Sequence, residues 1–200
     1  MAGKPGQASG AVPPGPEPWP DLGRAVAVLR AGGMVLHPAE AVWGLACDPF
    51  NADAVAAVIR LKQRPDSKGL IVVADRFQAL APLLAPVPES CRQAALATWP
   101  GPHTWVWPAA AEVPAWLVGE RGSLAVRVSA HPPLAALAAA FGGPLVSTSA
   151  NTSGAPPPYS LDQVDPAIRA GVEHALAGVT AGGQRPTTIR DVLSGQLLRG

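Results

Sequence analysis

Arg60-Leu61-Lys62-Gln63-Arg64-Pro65-Asp66-Ser67-Lys68-Gly69-Leu70-Ile71-Val72-Val73-Ala74 carries a helix end through a turn into a buried strand, and that passage decides the fold class. Upstream, Asn51 is placed to cap a helix whose inner face holds Val55, Val58, Ile59 and Lys62. Pro65 stops that helix, because it lacks an amide donor and its ring clashes with the preceding turn. Gly69 to Ala74 is then an unbroken apolar run rich in β-branched residues, as expected of a strand covered on both faces. Helix, short turn and central strand form the repeating unit of an α/β sheet.

The same reading extends in both directions. Leu22, Ala25, Val26 and Leu29 fall at helical spacing, with Gly32-Gly33 as the stop, and Met34-Val35-Leu36 reads as a buried strand ended by His37-Pro38. After the central strand, Asp75 is expected to cap a helix bearing Phe77, Leu80 and Leu84, and another helix is expected near Ser90 to Thr98. Strands are predicted at Thr104 to Trp107, Leu124 to Val128 and Leu145 to Thr148, with an alanine-rich helix from Leu134 to Phe141 between the last two. Thr188 to Leu193 and Gln196 to Arg199 flank Ser194-Gly195, a two-residue hairpin signal. Helix–strand alternation early and hairpins late predict a mixed parallel and antiparallel sheet. Residues 1–18 are rich in Gly and Pro and poor in large apolar groups, which predicts a disordered tail ahead of one domain over 19–200.

Composition narrows the function. A formal net charge of +1 is too small to hold a polyanion by the global field, so a small phosphorylated ligand is favoured over tight, unaided RNA binding. Cys47 and Cys91 lie far apart and the four histidines are scattered, so neither a disulfide framework nor a zinc site is expected. Any metal should arrive with a nucleotide. No apolar run reaches spanning length and no signal-peptide pattern opens the chain, which predicts a cytoplasmic protein without membrane contact.

No Gly-x-x-x-x-Gly-Lys-Ser/Thr, Gly-x-Gly-x-x-Gly or Gly-x-Ser-x-Gly pattern occurs, so a phosphate site has to be built from side chains and irregular backbone. Three clusters could supply one. Arg64 and Lys68 bracket the turn into the central strand, and an arginine can clamp phosphate oxygens bidentately while a lysine neutralises charge. Taken alone, they also fit a solvated helix terminus. Ser147-Thr148-Ser149-Ala150-Asn151-Thr152-Ser153-Gly154 carries five hydroxyls among its eight residues, suited to phosphate oxygens or to capping its own turns. Arg127 interrupts the apolar strand Ser123 to Val128. If it points outward nothing follows, and if it points inward it needs an anion, such as the carboxylate of a free amino acid.

These stretches, together with His37-Pro38-Ala39-Glu40-Ala41-Val42-Trp43-Gly44-Leu45, Trp99-Pro100-Gly101-Pro102 and Pro186-Thr187-Thr188-Ile189, occur in the order and spacing of the TsaC/YrdC family. From about Asp21 to Gly200 the chain resembles the short form of that family, without an added C-terminal domain. The resemblance implies a YrdC-like domain, a twisted mixed sheet with flanking helices around a concave cavity. It also implies a nucleotidyltransferase reaction in which L-threonine, bicarbonate and ATP give threonylcarbamoyl-AMP and pyrophosphate for tRNA modification. Carried over, Lys62, Arg64, Ser149 and Asn151 are the catalytic motif residues. Arg64, Lys68, Ser123, Ser147, Ser149 and Arg199 are assigned to ATP, and Arg127 and Thr187 to threonine. Mg²⁺ is expected with ATP rather than in a protein site of its own. The partners implied are the proteins that transfer threonylcarbamoyl to tRNA, with at most a weak contact to tRNA itself. Ala39 stands where the family usually has Thr, and Val73 where its longer members often have His, so two polar contacts to threonine are missing. The competing readings are a non-catalytic RNA- or nucleotide-binding relative and a carbamoyl-transfer module of the hydrogenase-maturation kind.

Overall fold

Among the described residues, nine strands form one mixed sheet. The computed structural model describes residues 19–63, 69–118, 122–183 and 187–199; the expected tail and the candidate residues Arg64 and Lys68 lie outside them. The strands are β1 Val35–Pro38, β2 Trp43–Cys47, β3 Ile71–Ala74, β4 His103–Pro108, β5 Ser123–Val128, β6 Leu145–Ser149, β7 His174–Ala175, β8 Thr188–Asp191 and β9 Leu197–Arg199, and their order across the sheet is β7-β1-β2-β6-β3-β5-β4-β8-β9. The helices are α1 Leu22–Arg30, α2 Ala52–Lys62, α3 Phe77–Leu80, α4 Glu89–Leu96, α5 Pro132–Phe141 and α6 Pro166–Ala170. β3 lies between β6 and β5, parallel to β5 and antiparallel to β6. It is therefore the central strand that the sequence predicts.

Local chemistry explains most boundaries. Asn51 caps α2 by accepting from the Ala54 amide, and Asp165 caps α6 by accepting from the Ala167 amide. Two prolines open α5, where their missing donors cost nothing, and Gly142 ends it at φ +93°.

Four expectations change. β1 does not end before His37-Pro38 but runs through both, because Pro38 pairs with Trp43 at the last rung, beyond the two residues that β7 covers. Asp75 does not cap α3. Its carboxylate accepts from the Arg76 guanidinium at 2.6 Å, and the helix starts after Arg76. That helix is a single turn, since Pro82 sits in the short 3-10 segment Ala81–Leu83 that follows, and Leu84 bridges to Ala109 instead of continuing it. The β8–β9 connection is longer than a two-residue turn. The Asp191 carboxylate accepts from the amides of Leu193 and Ser194, and the Gly195 amide donates to the Asp191 carbonyl.

The two faces of the sheet are covered unequally. On one, Val72, Val126, Val146, Trp105 and Trp107 pack under α2, α3 and α4, while Leu36, Trp43 and Leu45 pack under α6. On the other, α1 and α5 cover Val35, Ala46 and Leu145, and Leu134 of α5 packs on Val73. The rest of that face is open, and the candidate site lies there.

Candidate active site

Alternation along β2, β6, β5 and β4 brings Gly44, Ser147, Ser149, Ala125 and Val106 to the open face. Small side chains at these positions leave a cavity of about 370 Å³, which Arg127, Glu40, Asn151, Thr187 and Arg199 also line. Gly44 is needed there for space: a Cβ would come within 2.8 Å of the His37 ring and 3.1 Å of the Thr148 carbonyl.

One end of the cavity holds a buried charge pair. Arg127 points inward and is 5% exposed. Its Nη1 donates to Thr187 Oγ1 at 3.1 Å, and its Nη2 stands 3.4 Å from Glu40 Oε2. Glu40 Oε1 accepts from the Ser129 hydroxyl at 2.7 Å, but Glu40 Oε2 and Arg127 Nε have no hydrogen bond. Burial pulls the Arg127 pKa down and the Glu40 carboxylate opposes that shift. The backbone around Glu40 is held by a strap from the later chain, in which the amides of Ala181 and Gly183 donate to the carbonyls of Ala39 and Glu40. Gly183 cannot carry a side chain here, because a Cβ would meet the Glu40 carbonyl at 2.9 Å.

Beside the pair lies His37, fully buried, its pKa brought down to about 4 chiefly by that burial. It is therefore neutral near pH 7. Its Nδ1 lies 3.1 Å from the Pro38 carbonyl, which can only accept, so Nδ1 carries the proton and Nε2 is bare. The Ser147 hydroxyl, 3.3 Å from Nε2, then donates to it and presents its lone pairs to the cavity. Burial also lowers the pKa of His131.

At the other end the chain after β6 is pinned from below. Lys62, only 2% exposed at the end of α2, donates from Nζ to the carbonyls of Ser149 and Asn151, and the Ser153 amide donates to the Lys62 carbonyl. Asn151 turns its amide nitrogen to the carbonyls of Thr152 and Ala155, leaving Oδ1 buried and without a hydrogen bond. Arg199 donates to the Thr187 carbonyl at 3.1 Å.

The predicted residues therefore separate. Arg127, Ser147, Ser149, Asn151, Thr187 and Arg199 line one cavity. Lys62 is not among the lining residues, and its Nζ donates to the carbonyls of two that are, Ser149 and Asn151. Ser123 is on the same face of β5 as Ala125 and Arg127, one pleat beyond the lining. The two departures, Ala39 and Val73, pack with Leu134 and Ile71 into an apolar patch. Glu40 was not picked out as a site residue, although a carboxylate between two alanines ahead of Val42-Trp43 is itself a signal, since such a group is rarely buried without a partner.

Among the described residues no three His, Cys, Asp or Glu side chains converge on a metal position, and no helix is long and apolar enough to cross a membrane.

A family model for Sua5, YciO and YrdC, described as "Telomere recombination", matches residues 27–200. A threonylcarbamoyl-AMP synthase of Xanthomonas campestris pv. campestris (strain B100) is 49% identical over 182 residues, covering 90% of this chain and 97% of that one. One of Halorhodospira halophila is 50% identical over 187 residues, covering 94% and 97%. The crystal structure of P. abyssi Sua5 complexed with L-threonine superposes with a TM-score of 0.78 at 32% identity. That match covers 85% of this chain and half of the Sua5 chain.

Proposed function

The chain belongs to the Sua5/YciO/YrdC family, and from that premise we propose that it is a threonylcarbamoyl-AMP synthase, joining L-threonine, bicarbonate and ATP with release of pyrophosphate. The observation that carries the reading is one cavity with a buried, incompletely paired guanidinium at one end and a hydroxyl- and amide-lined wall at the other. The first suits an amino-acid carboxylate, and the second, with the Ser149 hydroxyl and the Arg199 guanidinium as donors, a polyphosphate.

The reaction needs alignment and charge neutralisation more than a nucleophilic side chain. The carbamate oxygen of carboxylated threonine attacks the α-phosphate, and the bond to the pyrophosphate leaving group breaks. Arg127 and Thr187 hold the amino acid. Arg64, Lys68, Ser123, Ser147, Ser149 and Arg199 are assigned to the nucleotide, with Arg64, Ser149 and Asn151 nearest the reacting phosphate. Ser147 meets its ligand through its lone pairs, so it accepts from a hydroxyl or N–H rather than donating to a phosphate oxygen. Lys62 contributes by fixing the carbonyls that set the position of Ser149 and Asn151. Mg²⁺ enters as part of the MgATP substrate. The Ser149 hydroxyl on the cavity wall fits a hydrogen bond to a water of such an ion. The adenylate is then used in the cytoplasm by proteins that transfer threonylcarbamoyl to tRNA.

Purified protein given MgATP, L-threonine and bicarbonate should release pyrophosphate and yield threonylcarbamoyl-AMP by mass spectrometry. Nucleotide binding without threonine-dependent pyrophosphate release would instead identify a non-catalytic member of the fold.

A further inference from the structure

We propose that Glu40 is the receptor for the amino group of the substrate, so that the cavity takes up the amino acid as its zwitterion and N-carboxylation occurs after binding. This rests on the reading of the cavity as an amino-acid site. Glu40 Oε2 and Arg127 Nη2 stand 3.4 Å apart without a hydrogen bond between them. That separation is comparable to the one between the carboxylate and the ammonium on a single α-carbon. A zwitterion can lie head to tail along the pair, its carboxylate on Arg127 and its ammonium on Glu40 Oε2. Both unpaired buried atoms, Arg127 Nε and Glu40 Oε2, then gain partners. The other Glu40 oxygen is already held by Ser129, whose hydroxyl in turn accepts from the His131 amide, so the carboxylate is fixed at the wall of the cavity that Glu40 lines.

Charge supplies the order of events. A carbamate formed in solution would bring two negative groups toward Glu40, and both histidines beside it, His37 and His131, are neutral near pH 7. The free amino acid brings one charge of each sign. Once bound, the ammonium gives one proton to Glu40 and through it to solvent. The amine nitrogen forms a bond to the bicarbonate carbon, the bond from that carbon to its hydroxyl oxygen breaks, and the departing hydroxide takes a second proton from nitrogen to leave as water. The product is a carbamate with one negative charge where the ammonium was. Glu40 now repels it, toward the end of the cavity that holds Ser149, Asn151 and Arg199.

The test is titration calorimetry on the full chain with three ligands: L-threonine, 2,3-dihydroxybutanoate of matching configuration, and N-oxalyl-L-threonine as a stable dianionic mimic of the carbamate. Wild type should bind threonine about 10- to 100-fold more tightly than the hydroxy acid, the scale of a charged hydrogen bond. Glu40→Gln should weaken threonine by a similar factor, leave the hydroxy acid unchanged and tighten N-oxalyl-threonine. Opposite changes for two ligands of one pocket are not what a merely loosened structure gives. Equal losses for all three ligands, or no wild-type preference for threonine over the hydroxy acid, would overturn the role of Glu40 while leaving the synthase reading intact. The wild-type comparison decides the matter even if Glu40→Gln fails to fold. Absence of threonine-dependent pyrophosphate release by wild type would remove both readings.

Discussion

The same strands build a packed face and an open one, and the two differ in what their side chains are for. Along β5, Leu124, Val126 and Val128 are at most 2% exposed under the helices, while Ala125 and Arg127 turn to the cavity. On β6, Val146 lies on the packed side and Ser147 and Ser149 on the open one; on β4, Trp105 and Trp107 oppose Thr104 and Val106. The packed face is apolar and bulky, so it carries stability. The open face is small and polar, with buried atoms left unpaired, and on the proposed reading it carries the ligand contacts. Substitutions one residue apart on a strand should therefore have different consequences.

The largest effect should come from the packed face. Trp107→Ala removes a side chain that is 2% exposed, stands 6.2 Å from Phe77 between ring centroids and donates to the Ala85 carbonyl. A loss of about 3–5 kcal/mol in denaturant-determined stability is expected, with threonine affinity of the remaining folded protein near wild type. A variant that lost threonine binding without losing stability would break the division.

His37 sharpens it, because it lies on the cavity side of the sheet, buried against Gly44 and Ser147, and bears on stability through protonation. Its pKa is about 4 when folded and near 6.5 when unfolded, so the unfolded chain binds the extra proton between those values. The stability that neutral His37 contributes is complete above about pH 6.5 and disappears as pH falls to about 4, a loss of about 3 kcal/mol. Urea denaturation at pH 7, 5.5 and 4 should show that component in wild type and not in His37→Gln; equal slopes in the two proteins would refute it.

On the nucleotide side, Arg64→Ala should lower turnover by about 10², with Arg64→Lys between it and wild type, while melting temperatures stay put. This expectation comes from the Lys62-Gln63-Arg64-Pro65 pattern, since Arg64 lies outside the described residues. A stability loss of up to about 1 kcal/mol with full turnover would mean that Arg64 serves only as a cation at the helix end.

The smallest effect should be Ala39→Thr. It places a hydroxyl at the cavity edge, beside the apolar patch of Val73 and Leu134, and should lower the KM for threonine by the worth of one hydrogen bond, about 0.5–1.5 kcal/mol. An unchanged or raised KM would show that the methyl-lined patch is itself the better fit.

What could be read in advance follows the same division. α1, α2 and α5 were legible from helical spacing and caps, and β3 and β5 from apolar runs, because each declares its burial locally. β2 was not, since Gly44 and Ala46 lower its strand propensity and only the His37 ring and the neighbouring backbone explain the glycine. β7, of two residues, and α6, of five, are too short to show periodicity and exist through their neighbours. In the site, Arg127 and the hydroxyl-rich stretch after β6 were visible as charge in an apolar strand and as composition. The Glu40–Ser129–His131 chain was not, because Glu40 lies 89 residues before Ser129 and no local pattern links them.

The strap and the Arg127–Thr187 contact have a consequence in time. A ribosome adding about 5–20 residues per second makes Arg127 roughly 3 to 12 s before Thr187, which lies 60 residues later. The amides of Ala181 and Gly183 that fix the Glu40 backbone come in the same late stretch. Until that stretch is made, the charged end of the cavity lacks its clamp, so on the proposed reading the threonine site is completed only when the final strands dock.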